Sequence, residues 1–243
     1  MKRMTRLKNS IATLLSVFVG LFILNANPAH AQTGMPHSLN VFAGFALPIG
    51  DYSSTSVTSA DNFLSASGNT PGFAQLGFTG GMEYSIRLYE MYEIGLLGNV
   101  SINSTDEGAL RKISSDISTN TSGGTWILIG GLVSAGISHD VAPGIGLHGR
   151  VYMGLMGGNS AEFSFYNLNA SGNYITQKTT WSSALGYGLG AGITFSNEWD
   201  CNVRFITSNP EYSTQVTDGR QITAKVFKQQ SNLVMLTIGL VIK

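Results

Sequence analysis

Alternating glycine residues are the feature of this sequence that most restricts its fold. In the stretch SALGYGLGAGITF, residues 183–195, every second residue from Gly186 to Gly192 is glycine and the residues between them are apolar. Alternate side chains of a β-strand point to opposite faces, so this strand has one apolar face and one face almost without side chains. A nucleotide-binding glycine loop needs a helix directly after it, but the chain continues with the turn-like SNEW. The stretch therefore predicts a strand whose glycines leave room on the crowded side of a sheet.

The same two-residue period recurs along the chain and predicts eight strands. They lie near residues 38–48, 75–88, 92–103, 125–138, 144–157, 180–195, 200–208 and 228–243. The links after the first, third, fifth and seventh strands are long and polar, whereas the other links are short. Short turns on one side and long loops on the other are typical of bacterial outer-membrane barrels. The predicted fold class is all-β: an antiparallel eight-stranded transmembrane β-barrel with short periplasmic turns and long extracellular loops.

The first 31 residues have the layout of a secretory signal peptide. Lys2, Arg3, Arg6 and Lys8 precede the apolar core IATLLSVFVGLFIL, and residues 29–31 form an A-x-A cleavage site. The core is shorter than the roughly 20 residues that a membrane helix requires. We expect cleavage before Gln32, which leaves residues 32–243 as one outer-membrane barrel domain.

Charge and cysteine content narrow the possible partners. Four of the 14 basic residues lie in the leader, so the mature chain keeps ten against 14 acidic residues and has a net charge of −4. This balance argues against a nucleic-acid partner. Charged residues make up 12% of the chain, against about 25% in soluble domains, which favours a membrane barrel for an exported protein. The single cysteine, Cys201, predicts neither an internal disulfide nor a lipidated N-terminus.

Polar residues on the inward face of the predicted strands form a candidate network inside the barrel. Unpaired charges are costly in such an interior, so we expect these side chains to pair with one another. An eight-stranded barrel is filled by side chains, which predicts a plugged interior. The predicted network consists of Glu83, Arg87, Glu93, His148, Arg150, Tyr152 and Arg204.

Aromatic residues near the strand ends predict an interface girdle at headgroup level. The predicted girdle consists of Tyr89, Tyr92, Trp126, Trp181 and Trp199.

Two local signals fall in the long links. The alternating stretch YSTQVTDGRQITAKV predicts a projecting hairpin, with Asp218 and Gly219 at its exposed tip because this dipeptide suits a tight turn. Ser104 and Glu107 have the spacing of a capping box and predict a short surface helix.

A family resemblance comes from the first predicted strands. The stretch NVFAGFALPIGDY, residues 40–52, followed by GFAQLGFTGGMEYSIRL, resembles the opening hairpin of the small outer-membrane β-barrel family that includes the OmpA transmembrane domain and OmpX. The resemblance covers most of the mature chain as a strand and loop rhythm. It implies outer-membrane lipid and the outer-membrane assembly machinery as partners. The chain ends in GLVIK instead of the aromatic residue common in that family, so Leu240 and Ile242 are candidate substitutes.

The expected role is non-enzymatic: a structural or surface-interaction protein with its loops facing the exterior and a surface ligand that the sequence does not identify. Two alternatives stay open, a lipid-modifying enzyme of the lipopolysaccharide deacylase or acyltransferase type and a narrow channel for small solutes. Because His37, His139 and His148 are not placed beside a serine at the outer rim, no Ser–His–acid triad is predicted. The sequence also predicts no cofactor, and no metal site because no ligand spacing is present.

Overall fold

The computed structural model describes residues 37–56, 71–88, 91–113, 121–167, 173–196, 198–218 and 221–243. The strands are β1 His37–Ile49, β2 Gly77–Leu88, β3 Tyr92–Ser104, β4 Ser122–Gly123, β5 Thr125–Ala142, β6 Ile145–Asn159, β7 Phe163–Asn167, β8 Asn173–Gln177, β9 Trp181–Phe195, β10 Trp199–Ser208, β11 Glu211–Asp218, β12 Gln221–Lys228 and β13 Ser231–Ile242. The 3₁₀ turn Gly50–Tyr52 and the helix α1, Glu107–Ile113, lie between strands. In this described part of the chain, no helix is long and apolar enough to cross a membrane. The predicted signal peptide, 1–31, lies outside the described residues.

Eight of the strands close into a barrel, as predicted. Their order is β1-β13-β10-β9-β6-β5-β3-β2, and β1 returns to pair with β2. Every pairing is antiparallel, including the β1–β13 ladder that joins the two ends of the chain segment. The predicted antiparallel eight-stranded barrel is therefore confirmed.

The barrel has two different ends. At one end short turns join β2 to β3, β5 to β6 and β9 to β10, while β1 begins and β13 finishes there. We call this the turn end. At the opposite end, the loop end, lie the described parts of the four long connections, which run between β1 and β2, β3 and β5, β6 and β9, and β10 and β13.

The glycine-rich strand β9 shows why the sequence alternates. Its apolar residues are exposed on the outside of the barrel, and its glycines face inward. A Cβ atom at Gly190 would lie 3.0 Å from Arg204 Cγ and 3.2 Å from Tyr152 Cε2, and one at Gly186 would collide with the Met156 side chain. The glycines therefore provide the space that large side chains of neighbouring strands occupy.

A second sheet of five strands lies at the loop end and was not predicted as a sheet. Its order, β12-β11-β8-β7-β4, follows the order of the barrel strands β13-β10-β9-β6-β5 to which its members are directly connected. The alternation of inward-facing and outward-facing side chains continues unchanged from β10 into β11 and from β12 into β13. The sheet is thus a continuation of the barrel wall above five of its eight strands. We call it the wall extension.

The structure corrects the predicted cap of the short helix and describes the predicted hairpin only in part. Helix α1 forms, but its cap is Asp106, whose Oδ1 accepts a hydrogen bond from the Ala109 amide at 2.9 Å; Ser104 instead ends β3. The projecting hairpin also forms, as β11 and β12. The last residue pair of this hairpin is Asp218 with Gln221, so the connecting residues are 219–220 and not the predicted Asp218 and Gly219. Gly219 and the side chain of Asp218 lie outside what the structure describes.

A matched glycine pair tests the packing of the wall. Gly131 faces outward, where an added Cβ meets no atom within 4 Å, whereas a Cβ at Gly154 would collide with the Gly131 carbonyl and lie 2.7 Å from Leu132 Cα. We expect Gly154→Ala to lower the free energy of unfolding by about 1–3 kcal/mol because backbone atoms must move, and Gly131→Ala to leave it nearly unchanged. Urea unfolding in lipid vesicles measures the free energy of unfolding of both variants. Equal effects of the two substitutions would contradict the assignment of Gly131 to the outer face and Gly154 to the inner face.

Candidate functional site: the barrel interior and the wall extension

The centre of the barrel holds an ion-paired network of buried arginine and glutamate side chains. Arg204 Nη2 lies 2.8 Å from Glu83 Oε2, and Arg150 reaches the same oxygen at 3.4 Å. Arg150 also donates to Glu93 Oε2 at 2.6 Å, and Arg87 Nε lies 3.4 Å from the other oxygen of Glu93. Each buried carboxylate thus contacts two guanidinium groups, which offsets much of the cost of removing the charges from water.

Arg204 is the most enclosed member of this network. Its residue is 0% exposed. Its guanidinium donates to the Tyr152 hydroxyl at 3.3 Å and to Thr237 Oγ1 at 2.8 Å. The Phe42 ring lies beneath it at 4.5 Å from ring centroid to Cζ. Salt bridges, hydrogen bonds and a cation–π contact therefore hold one side chain across the lumen.

The structure joins six of the seven predicted network residues. Glu83, Arg87, Glu93, Arg150, Tyr152 and Arg204 form one connected group through the contacts above. His148 lies in the lumen too, but its Nε2 contacts Asp200 Oδ1 at 2.8 Å. The network predicted from the sequence does not include Asp200, although this residue shares the inward parity of Asn202 and Arg204 on β10.

Above this network the barrel lumen holds uncharged side chains. Met235 Sδ accepts weak contacts from Thr79 Oγ1 at 3.4 Å, Asn99 Nδ2 at 3.8 Å and Ser101 Oγ at 3.9 Å. The buried side chains beside and above the network include apolar residues, of which Leu97 and Leu132 lie level with Glu83 and Leu128, Ile206 and Leu233 lie further towards the loop end. Buried polar residues, among them Asn103, Thr207 and Ser208, lie near the loop end as well. Side chains thus fill the barrel from the charged centre to the loop end.

A cavity of about 150 Å³ opens at the turn end. Its lining includes Asn40, Arg87, His148, Arg150 and Asp200. Asp140 stands at its mouth, 65% exposed, with Oδ2 3.5 Å from Arg87 Nη1. The lumen is therefore a blind pocket at the turn end and closed above it.

Trp126 belongs to the interior and not to the girdle, so that prediction was wrong. It is 1% exposed, and its indole N–H donates to the Gly72 carbonyl at 2.8 Å. The reason is parity: Trp126 shares the inward face of β5 with Leu128, and this outweighs its position near the strand end. Tyr92, Trp181 and Trp199 are exposed on the barrel exterior, while Tyr89 lies outside the described residues.

Trp126 is the centre of an aromatic cluster that closes the loop end. Tyr52 packs edge-on against it at 5.4 Å between ring centroids, Tyr212 at 6.0 Å and Phe163 at 6.4 Å. Phe73 contacts Phe163, and Phe227 stacks on Tyr212 at 5.4 Å. We call these six rings the aromatic cap. They join the inner face of the wall extension to the barrel mouth.

Burial perturbs three titratable groups in the cap region. It raises the pKa of the Tyr52 and Tyr212 hydroxyls, and Tyr212 raises that of Tyr52 further by its charge. It also lowers the pKa of Lys225, on the inner face of β12, from 10.5 to about 8. Lys225 Nζ lies 5.4 Å from the centroid of the Phe227 ring. The wall extension thus contains an ammonium group whose charged form is disfavoured by its surroundings.

The arginine network generates a stability prediction. Arg204→Gln removes a buried guanidinium from Glu83, which keeps the longer contact with Arg150 and a hydrogen bond from Ser134 Oγ, each at 3.4 Å. We expect the free energy of unfolding to fall by about 3 kcal/mol in urea titrations. Arg87→Gln is the control, since Arg87 is partly exposed at the turn end, and it should cost less than about 1 kcal/mol. Similar losses in the two variants would show that burial does not govern the network.

Lys225 generates a pH prediction. Its folded pKa is below its unfolded value, so the unfolded cap binds more protons between about pH 8 and 10.5 and cap stability increases with pH over that window. Acrylamide quenching of Trp126, measured in a Trp181→Phe, Trp199→Phe background, should therefore decrease from pH 7 to pH 9.5. Lys225→Met should remove this dependence; an unchanged pH profile in Lys225→Met would contradict the assignment.

Comparisons with known proteins add no family assignment. No protein-family model matches the chain, and no curated protein sequence matches it. Among solved structures, the chain is similar to the attachment invasion locus protein Ail of Yersinia pestis, with 15% identity, a TM-score of 0.41, and coverage of 86% of this chain and 100% of Ail. Neisserial surface protein A has 11% identity, a TM-score of 0.38 and coverage of 84% and 96%. The N-terminal β-barrel domain of Pseudomonas aeruginosa OprF has 11% identity, a TM-score of 0.37 and coverage of 84% and 97%.

These similarities are too weak to carry a functional argument. The barrel of the present chain rests on its own strand pairing, which closes eight antiparallel strands. The resemblance to small outer-membrane β-barrels is confirmed at the level of this fold.

Proposed function

We propose that the protein is a non-enzymatic outer-membrane β-barrel that binds an extended segment of a partner protein at the free edge of β12. In this proposal the leader is cleaved before Gln32, the turn end faces the periplasm and the loop end faces the exterior. The partner's segment adds to β12 as a further strand, and its alternate side chains determine specificity.

The outer surface of the barrel supports membrane insertion. Its outward residues are large and apolar on all eight barrel strands, and include Phe45, Phe78, Ile94, Val133, Val151, Leu189, Val203 and Leu236, all exposed. A continuous exposed apolar belt of this extent is unfavourable in water and matches the lipid-facing surface of a transmembrane barrel. Tyr92, Trp181 and Trp199 lie near the ends of this belt, as interfacial residues do.

The free edge of β12 is the observation that carries the binding proposal. The β1–β13 ladder ends at the pair Ile49 and Asn232, where β1 turns away. β12 continues beyond that point and, among the described residues, pairs only with β11. Within the described part of the chain, the outer edge of β12 therefore has no neighbouring strand, and such an edge is a template for another strand.

The side chains beside this edge fit a binding surface. Ile222 and Val226 point outward from β12 and are 65% and 55% exposed, with exposed Ala224 between them. Lys225 is turned to the buried face, and Lys228, which follows Val226 on the outward face, lies 4.0 Å from Glu211 Oε2. The outward row from Ile222 to Val226 therefore carries no charge. Exposed edges in monomeric proteins usually carry charge or proline to prevent strand addition. An exposed apolar edge outside the membrane favours a strand-like partner.

The described residues give no specific support to the two alternatives. An enzyme acting at the outer rim needs a base there, but His37, His139 and His148 lie near the turn end. A channel needs a path, but apolar side chains and the aromatic cap fill the lumen towards the loop end. A closed barrel with its exposed apolar edge at the loop end is better suited to binding than to catalysis or conduction.

A peptide-display experiment tests the binding proposal. Random eight-residue peptides on phage are selected against the protein in nanodiscs, with empty nanodiscs as the subtraction. We expect enriched peptides with alternating apolar residues, whose affinity is lost when alternate main-chain amides are N-methylated, because the bound segment donates main-chain hydrogen bonds.

A charge-matched pair of variants locates the site. Ile222→Lys with Val226→Lys places two charges beside the edge and should weaken peptide binding at least tenfold. Ser213→Lys with Gln215→Lys places the same charges on the same outer face of β11, one strand away, and should leave binding unchanged. No enrichment over empty nanodiscs, or binding that both double variants reduce equally, would refute the edge as the binding site.

A further inference from the structure

Asp200 is the centre of a polar cluster separate from the arginine network. Its Oδ2 accepts from Asn40 Nδ2 and Asn202 Nδ2, each at 2.5 Å. Its Oδ1 lies 2.8 Å from His148 Nε2 and 3.4 Å from Thr194 Oγ1. These side chains come from four strands, β1, β6, β9 and β10. We call these five residues the Asp200 cluster.

The charge at Asp200 is compensated differently from the other buried carboxylates. Glu83 and Glu93 are each contacted by two arginines, whereas the contacts of Asp200 are two neutral amides, a hydroxyl and an imidazole. A buried carboxylate without a permanently charged partner is costly. Among the described residues, no arginine or lysine lies within 4 Å of Asp200, so a cation bound there would be its first permanently charged contact.

One buried atom of the cluster has no partner. Among the described residues, Asn40 Oδ1 makes no hydrogen bond, although Asn40 is 6% exposed. Leaving a buried acceptor unpaired costs roughly 1–3 kcal/mol. Rotating the amide by 180° would turn this oxygen towards the carboxylate and remove the hydrogen bond from Asn40 Nδ2 to Asp200; a cation between the two oxygens would compensate for that loss.

Glycines make space around the two amides. A Cβ at Gly192 would lie 2.5 Å from Asn202 Oδ1 and 2.6 Å from His148 Cε1, and one at Gly239 would collide with Asn40 Oδ1. Side chains at these positions would push the amides and the imidazole out of the cluster. Glycine at both positions therefore keeps the oxygen and nitrogen atoms close to Asp200.

The cluster is also accessible. Asn40, His148, Thr194 and Asp200 line the cavity of about 150 Å³ that opens at the turn end. Since a water molecule takes up about 30 Å³, this volume holds an ion with a few of its waters. An ion has an entry path from that side of the membrane.

We propose that the Asp200 cluster binds one divalent cation through the Asp200 carboxylate, the amide oxygens of Asn40 and Asn202, and Nε2 of His148. Three oxygen groups with one imidazole suit Mn²⁺ among the common cations, because oxygen ligands favour Mg²⁺, Ca²⁺ and Mn²⁺ and imidazole favours transition metals. His148 then carries its proton on Nδ1, and both amides rotate to present oxygen.

The residue types explain why the site is not evident from the usual ligand patterns. In the described part of the chain no group of three or more His, Cys, Asp or Glu side chains is placed to hold a metal. The Asp200 cluster contains two such residues and draws its other ligands from amides. Arg150 lies in the same cavity, but Glu83 and Glu93 neutralise it at 3.4 and 2.6 Å. The proposal is independent of the partner proposed for β12.

Manganese titration of the intact protein tests the site. The protein is purified from outer membranes into nanodiscs, treated with a chelator, and titrated with Mn²⁺ while electron paramagnetic resonance reports the free ion. We expect one saturable Mn²⁺ per barrel, with Ca²⁺ and Zn²⁺ added separately as competitors. Absence of saturable binding above that of empty nanodiscs would overturn the proposal.

Variants assign the bound ion to the cluster. Asp200→Asn should weaken Mn²⁺ binding at least thirtyfold, and Asn202→Ala or His148→Gln at least fivefold. Asp140→Asn removes an exposed carboxylate at the mouth of the same cavity and should leave the affinity within twofold. Heat-dependent gel mobility verifies that each variant is folded; if Asp200→Asn does not fold, Asn202→Ala and His148→Gln decide. Unchanged affinity in the folded cluster variants would refute the assignment.

Discussion

Burial of two arginine side chains, Arg150 and Arg204, in the lumen of an eight-stranded barrel is the constraint on which the rest of the structure depends. The guanidinium groups need Glu83 and Glu93 as counter-charges, and their long side chains need space that only glycine on neighbouring strands leaves. Polar groups and glycine take many of the inward positions, together with a smaller set of apolar side chains such as Leu97 and Leu132, whereas the outward positions of every barrel strand carry large apolar residues. The inward network and the outward apolar belt are therefore two results of one alternating pattern.

Strict alternation is also the reason why the barrel could be predicted from the sequence. Gly186 to Gly192 on β9 and the polar residues Glu83 and Arg150 reveal their inward face through their neighbours two residues away. The same rule applies to Trp126 and Asp200. Both have inward parity, which outweighs the position of Trp126 near a strand end and that of Asp200 beside a turn. Parity was the more reliable guide in both cases.

The wall extension could not be predicted in the same way. β4 has only two residues and β7 and β8 have five each, too few for a period to stand out. Their pairing depends on barrel strands that bring distant loops together, as β11 meets both β8 and β12. The aromatic cap has the same origin, since Tyr52, Trp126 and Tyr212 are separated by more than 70 residues in sequence and meet only in the closed barrel. Long-range contacts of this kind leave no local signal.

The central claim is that the barrel wall continues beyond the eight-stranded barrel and ends in an open strand edge at β12. Residue-resolved amide hydrogen exchange of the protein in nanodiscs tests it most directly. The account predicts slow exchange throughout β11, which has partners on both sides, and an alternation in β12 between slow amides bonded to β11 and fast amides on the free edge. Uniformly slow exchange in β12 would show that the edge is covered, and uniformly fast exchange in both strands would show that the wall does not extend beyond the barrel.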